Sequence, residues 1–297
     1  MMEAMTTMSP PSPTRRPKAI NAVPLRHPWR VTAAIALILF FVLFVLDSAT
    51  RPAFGWQDFA KYVFDQRISA AAFITLQLTI YSMALAIVLA LILSVMRLSP
   101  NPVLNSVAWF YIWVFRGTPL YVQLVFWGLL AVIYPKIHIG IPFMEPWVSF
   151  PTTQAFSLFW LAVIGLGLNE ASYLSEIMRA GIQSVDHGQT EAATALGMSW
   201  AKQMRLIVLP QAMRVIIPPT GNELIGMMKS TSLVVAVPYS WDLYTRSRDI
   251  GIEVFNPVPL LMVACAWYLL MTSILMIGQH FLEKRFARGT TLIGGTK

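Results

Sequence analysis

The chain has 297 residues, 56% of them hydrophobic and only 12% charged, where an ordinary soluble domain carries roughly a quarter charged residues. That balance excludes a water-soluble fold. Stretches such as Val31 to Leu46, Ala70 to Met96 and Leu260 to Gly278 approach or exceed the ~20 apolar residues a helix needs to cross a hydrocarbon core. The net charge of +8 does not point to nucleic acid, because fifteen of the basic residues fall in alternate segments between apolar spans and only six in the intervening ones. The positive-inside rule makes the richer set cytoplasmic, with Arg97 and Arg116 included in it.

In chain order, residues 1–30 hold six prolines and five basic residues and read as a disordered cytoplasmic tail. Val31 to Leu46 reads as a first, rather short span. Its basic flank also fits a signal peptide with Ser48 and Ala49 near a cleavage point. Asp47 to Ser69, with Phe54, Trp56, Phe59, Tyr62 and Phe64, fits an amphipathic segment at the outer interface, so residues 31–67 form one extra N-terminal unit. Further spans are expected at Ala70–Met96, at Pro119–Tyr134 after an aromatic and basic inner-interface segment ending at Arg116, and at about Gln154–Ile177, Ala212–Val237 and Val258–Phe281. The result is an all-α polytopic membrane protein of six transmembrane helices, with a transmembrane unit over residues 68–285 and a short cytoplasmic tail over 286–297. Both termini lie in the cytoplasm.

The loop over residues 186–210 carries the most information. Gln189 to Leu196 is alanine-rich and helical in pattern, with Glu191 in the first turn, where a carboxylate favours the helix dipole. Gly197 can end it in the left-handed conformation, Ser199 can cap a second short helix through Arg205, and Pro210 can open the next span. Cys265 is the sole cysteine, so neither a disulfide nor a cysteine metal site is available within the chain. The four histidines have no metal-ligand spacing.

The run Glu191-Ala192-Ala193, three residues, Gly197, nine residues, Ile207, one residue, Leu209-Pro210 resembles in full the EAA loop of bacterial ATP-binding cassette importer permeases. Phe115 to Leu120, Tyr173 to Arg179, Gly181 to Val185, Gly188-Gln189, Leu209 to Ala212, Pro218-Pro219, Asn222-Glu223 and Lys229 to Leu233 are similar to the polar amino acid permeases of the histidine, glutamine and arginine type. The likeness covers about Ile68 to Arg285. It departs at Asp186-His187, where a Pro-Lys pair is common, and at Ala180, where glycine is common.

The resemblance implies a five-helix permease core in the bacterial inner membrane, to which the first helix is an addition. It also implies that Glu191, Ala192, Ala193, Gly197, Ile207, Leu209 and Pro210 couple the chain to a separate ATPase that binds ATP and Mg. The further partners it implies are an extracytoplasmic solute-binding protein, a second permease copy or a homologous permease, and membrane lipid. The chain itself has no G-x-x-x-x-G-K-[ST] run to cradle phosphates and needs no cofactor.

Ionisable residues inside spans mark a pathway or a pair. Glu176 and Arg179, three apart, are set to pair on one helix. Asn169, Tyr173 and Glu176 share a face, as do Glu223, Gly226, Met227 and Ser230, and these faces are candidates for a gate or a polar cavity. Glu170 and Lys229 lack partners on their own helices, so each is either paired across helices or exposed to a water-filled path. Glu170, Tyr173, Glu176, Glu223, Lys229 and Ser230 are therefore the candidate pathway or substrate residues. A stand-alone secondary transporter or channel would instead show an inverted repeat, and a membrane enzyme would show paired catalytic groups or an H-E-x-x-H run. None of these is found.

Overall fold

A computed structural model of the protein describes residues 28–141 and 144–286. The N-terminal tail over residues 1–27 and the C-terminal tail beyond Phe286 lie outside the described residues. The chain divides into two compact units, Met1–Arg51 and Pro52–Lys297.

The first unit contributes α1 (Pro28–Thr50), which runs unbroken through Ser48 and Ala49 and buries no residue. The second opens with a short 3₁₀ turn (Pro52–Phe54) and α2 (Trp56–Tyr62). Next comes α3 (Gln66–Leu98), capped by Asp65, whose side chain accepts the Arg67 N–H. After the turn at Ser99–Asn101, Asn101 caps α4 (Pro102–Gly117), and Pro119 precedes α5 (Leu120–Gly128) and the single turn α6 (Leu130–Ile133).

An antiparallel hairpin follows, β1 (Lys136–Ile139) with β2 (Val148–Pro151), Ile137 opposite Phe150. This hairpin is the one departure from an all-α reading among the described residues. Then come α7 (Thr152–Ala155), α8 (Leu158–Gln183), α9 (His187–Ala195) and α10 (Trp200–Gln203). A π-helical turn (Met204–Val208) leads into α11 (Leu209–Ser230), and a 3₁₀ turn (Thr231–Ala236) follows it. The described chain ends with α12 (Leu243–Glu253) and α13 (Pro257–Phe286).

By length and composition four helices can cross a membrane: α1, α3, α8 and α13. The two other stretches expected to cross are not single apolar helices. Pro119–Tyr134 is divided between α5 and α6, and the Ala212–Val237 stretch is the later part of α11, which contains Pro218 and Pro219, followed by the 3₁₀ turn.

Within the second unit α3 and α8 are the central pair. Their small and hydroxyl-bearing faces (Ala86, Ala90, Ser82 on α3; Ala171, Ser172, Ser175 on α8) are buried, as expected where helix backbones approach closely in lipid. The opposite faces stay apolar and exposed: Phe73, Ile80, Val88 and Val95 on α3, Leu269, Ile274 and Ile277 on α13. Around a water-soluble protein such surface would be an aggregation hazard; around this one it is the lipid-facing side.

Candidate functional site

The loop singled out by its spacing forms a compact helix, turn and helix. α9 starts at His187, two residues before the expected Gln189, because the Asp186 side chain accepts the Gly188 N–H at 2.7 Å and caps it. Glu191 therefore lies in the second turn rather than the first, and the dipole argument for it passes to Asp186. The end is as expected: Gly197 adopts φ +73°, its N–H bonds Thr194 O at 2.9 Å, and the Met198 N–H reaches Ala193 O at 3.1 Å. This pair of bonds is the Schellman closure of a helix. Ser199 stands at the N-cap of α10 but makes no side-chain cap bond. The Gln203 amide holds the turn instead, donating to Met198 O at 2.8 Å and to Thr194 Oγ1 at 3.1 Å.

From Trp200 the helical path runs without a gap through the π turn into α11. Pro210 explains that turn. It has no N–H for an α-helical bond, and its ring crowds the carbonyl four residues back. The backbone opens by one residue, so that Leu209 N–H bonds Met204 O. Ile207 is half-buried and Leu209 and Pro210 are exposed at this joint. Ala193 is buried against the following helix, whereas Glu191, Ala192 and Gly197 face outward. Beside them Leu196, Trp200 and Leu206 leave 81%, 68% and 62% of their surface open, an apolar patch on the outside of the loop.

The second cluster lies where α4 gives way to α5. The two are separated at Thr118 and Pro119, which leaves carbonyls without helical partners. Gln123 Nε2 takes three acceptors there: Phe115 O at 3.0 Å, Thr118 O at 3.1 Å and Thr118 Oγ1 at 2.7 Å. From α8, Asn169 Nδ2 reaches Phe115 O at 3.0 Å and Gln123 Oε1 at 3.1 Å. Tyr111 ties α4 to Leu168 O at 2.7 Å.

These bonds set Arg116 beside the middle of α8, fourteen residues into α4. It stands in the last turn of α4, which packs along α8. Its guanidinium lies 5.0 Å from the centre of the Tyr173 ring.

Glu176 pairs with Arg179 at 2.7 Å, as the spacing predicted, and Arg97 Nε approaches it at 4.0 Å. Glu170 is buried, and its Oε1 has no hydrogen-bond partner among the described residues. Across the helix boundary its neighbour on α11 is Glu223. The cross-helix partner of Glu170 is thus a second carboxylate, an arrangement that attracts a cation or a proton. Lys229 is not part of this cluster. It is exposed and lines a crevice of about 380 Å³ with Ser232, Tyr244 and Tyr268. Ser230 is half-buried at the end of α11.

Gln123 and the stacking of Arg116 on Tyr173 were missed from the sequence. The available signal was a lone amide in the apolar run Leu120 to Trp127, since an isolated polar side chain there requires a partner.

Against known proteins, the family described as "Binding-protein-dependent transport system inner membrane component" matches residues 82–288. The arginine transport system permease protein ArgU of Corynebacterium glutamicum is 54% identical over 95% of this chain and 88% of its own length. ArtQ of Bacillus subtilis, named as an arginine transport system permease protein, is 35% identical over 69% of this chain and 86% of its own. Among solved structures, a chain of an amino acid ABC transporter crystallised with histidines is 31% identical, with a TM-score of 0.62 over 74% of this chain and 94% of that one. An inward-facing MetNI methionine ABC transporter chain, 17% identical with a TM-score of 0.60 over 75% of this chain and 98% of that one, shares the fold alone. With the family match covering most of the length and a 54% identical relative matched over 95% of it, the chain belongs to the binding-protein-dependent inner membrane components, as a polar amino acid permease of the ATP-binding cassette importers.

Proposed function

We propose that this permease carries a cationic amino acid, with arginine the first candidate, through a path lined by Glu170 and Glu223. We further propose that α9, α10 and the Leu196, Trp200 and Leu206 surface dock on the ATPase. As a permease subunit the chain is a transport component without a catalytic site, and ATP is handled by the partner. The observation that carries the reading is the unbroken helical path from Trp200 to Ser230. It links the coupling loop rigidly to the Glu223 face, so displacement of the loop moves one wall of the carboxylate pair. Arginine is favoured because two facing carboxylates in a span suit a positive side chain, and because the 54% identical relative is named for arginine.

The fuller assembly belongs to the same proposal. Residues 68–285 form the permease unit and 186–210 its coupling loop, while 31–67 are an N-terminal addition and 1–30 and 286–297 cytoplasmic tails. Six crossings are reached by counting α4 with α5 as one broken span and α11 as another, which keeps both termini in the cytoplasm. A second permease, identical or homologous, completes the path. A solute-binding protein delivers substrate from outside, and two ATPases close on ATP and Mg within. Alternating access then follows from differential binding to the two states.

The test is arginine uptake in proteoliposomes holding the permease, its ATPase and its binding protein. Glu170→Gln and Glu223→Gln are each expected to lower ATP-driven arginine uptake by about 10-fold or more, the scale of one lost charge-assisted contact. Uptake that persists without ATP would overturn the importer reading. Normal uptake in both variants would remove the carboxylates from the path.

A further inference from the structure

The connector between α11 and α13 buries a carboxyl group that neither the coupling loop nor the Glu170 and Glu223 pair uses. Asp242, just before α12, is 0% exposed. Its Oδ2 accepts the Thr245 N–H at 3.0 Å, an ordinary N-cap contact. Its Oδ1 has no hydrogen-bond partner among the described residues, and neither has the buried Thr245 Oγ1 beside it.

The surroundings are hydroxyl-bearing and buried. From α3, Thr75 Oγ1 accepts the Leu243 N–H at 2.9 Å. From the end of α11, Thr231 Oγ1 lies 3.3 Å from the Tyr268 hydroxyl of α13. Thr75, Thr231 and Asp242 are all wholly buried, so α3, α11, α12 and α13 meet at this joint.

No cation neutralises the carboxyl: among the described residues Asp242 forms no ion pair. On its own helix Arg246 lies over the Trp241 ring at 4.9 Å, and Arg248 bonds Asp249 at 2.8 Å. Lys229, near the end of α11, lines the crevice in front of Tyr244 and Tyr268. The titratable groups that sense Asp242 are the Tyr239 and Tyr268 phenols, from the connector and α13. α3 presents the Thr75 hydroxyl. An ionised carboxylate with no exposure and one good donor is costly, and the helix N-terminus offsets only part of that cost.

We propose that Asp242 is a buried proton-binding site, neutral when α3, α12 and α13 are packed around the end of α11 and loosening that joint when it ionises. Burial pushes its carboxyl from the ordinary 3.8 up to about 6, against the opposing hydrogen bond from the Thr245 N–H. The folded value lies above the unfolded one. The stability that neutral Asp242 contributes is therefore full below 3.8 and lost as pH rises through about 6. The yielding point is at the far end of the helix that begins at the coupling loop, so external acidity would set how firmly that end is held.

Asp242→Asn keeps a capping side chain that never ionises. In the full-length protein in lipid nanodiscs, followed by tryptophan fluorescence, the variant is expected to melt about 2–4 °C above the wild type at pH 8. At pH 5, between 3.8 and about 6, the unfolded carboxyl is still mostly ionised and the gain should fall to roughly half. A variant that melts lower at pH 8, or by the same margin at both pH values, overturns the proposal, because an ionised cap would then be the stable form. A second reading uses infrared difference spectra of wild type minus variant. A protonated carboxylic acid band present at pH 5 and lost by pH 8 is expected, and its absence at pH 5 is fatal. Should Asp242→Asn fail to fold, Asp242→Ser keeps a capping oxygen without a charge and supports the same two comparisons.

Discussion

Gly197 shows how one residue can set the geometry of a docking element. Its φ of +73° is open to glycine and costly for side chains with a Cβ. Nothing lies within 4 Å of where that Cβ would stand, so the whole penalty of Gly197→Ala is backbone strain, about 1 kcal/mol. The expected result is faster amide exchange across α9 and weaker ATPase coupling, with Gly197→Asn less affected because asparagine tolerates the left-handed region. Equal effects of Ala and Asn would show that strain is not the cause. This residue was legible because its role is local and is fixed by the chain on either side. Glu170 was half legible. The sequence marked it as needing an outside partner, but only the packing of α8 against α11 shows that the partner is Glu223. Gln123 stayed hidden because its three acceptors arise from a helix break that no periodicity announces.

At the scale of the elements, the contact between α8 and α11 is the most exacting. A Cβ on Gly181 would overlap Ile216 Cγ1 and come within 3.4 Å of Ala212 O. Gly181→Ala is expected to cost about 1–3 kcal/mol by overpacking, seen as a lower melting temperature. Adding Ile216→Ala should restore part of the loss. If the double variant is worse by the sum of the two, the close approach is not what Gly181 provides. Helix existence and type were legible for α3, α8 and α13, whose apolar runs are long. The stretch expected to span from Pro119 is divided between α5 and α6, and the pairing of α4 with α8 could not be read from its aromatic and basic pattern. The hairpin of β1 and β2 was read as loop, since its two short strands carry no alternation strong enough to separate from the neighbouring prolines.

For the whole molecule, the division at Arg51 and Pro52 matters most. The family match begins at residue 82, beyond this division. Removing residues through Arg51 is therefore expected to change the melting temperature of the remainder by less than about 2 °C, below what ~1 kcal/mol moves in a domain of this size. A larger drop would mean that α1 contributes to the fold of the second unit. The bilayer setting was legible at this scale from composition alone, because no arrangement of so few charges can cover the surface. Of the six crossings expected, four are single apolar helices of sufficient length among the described residues, whereas Pro119–Tyr134 and Ala212–Val237 lack that continuous apolar signature.

The π turn at Met204–Val208 has a consequence in arithmetic. It holds one residue more than an α-helical turn, and that spare residue falls within the interval that separates Gly197 from Ile207. Deleting any one of the five would let the helix close to regular winding. Everything on the far side would then keep nearly its original facing, because four regular residues complete almost the same rotation, whereas a deletion within the regular turn Trp200–Gln203 would swing it by roughly 100° and shift it by about 1.5 Å. Leu196 would then face away from whatever it meets. The interval is therefore an angular setting as well as a length, and the loop should accept exchanges of side chain far more readily than a change in residue count outside the π turn.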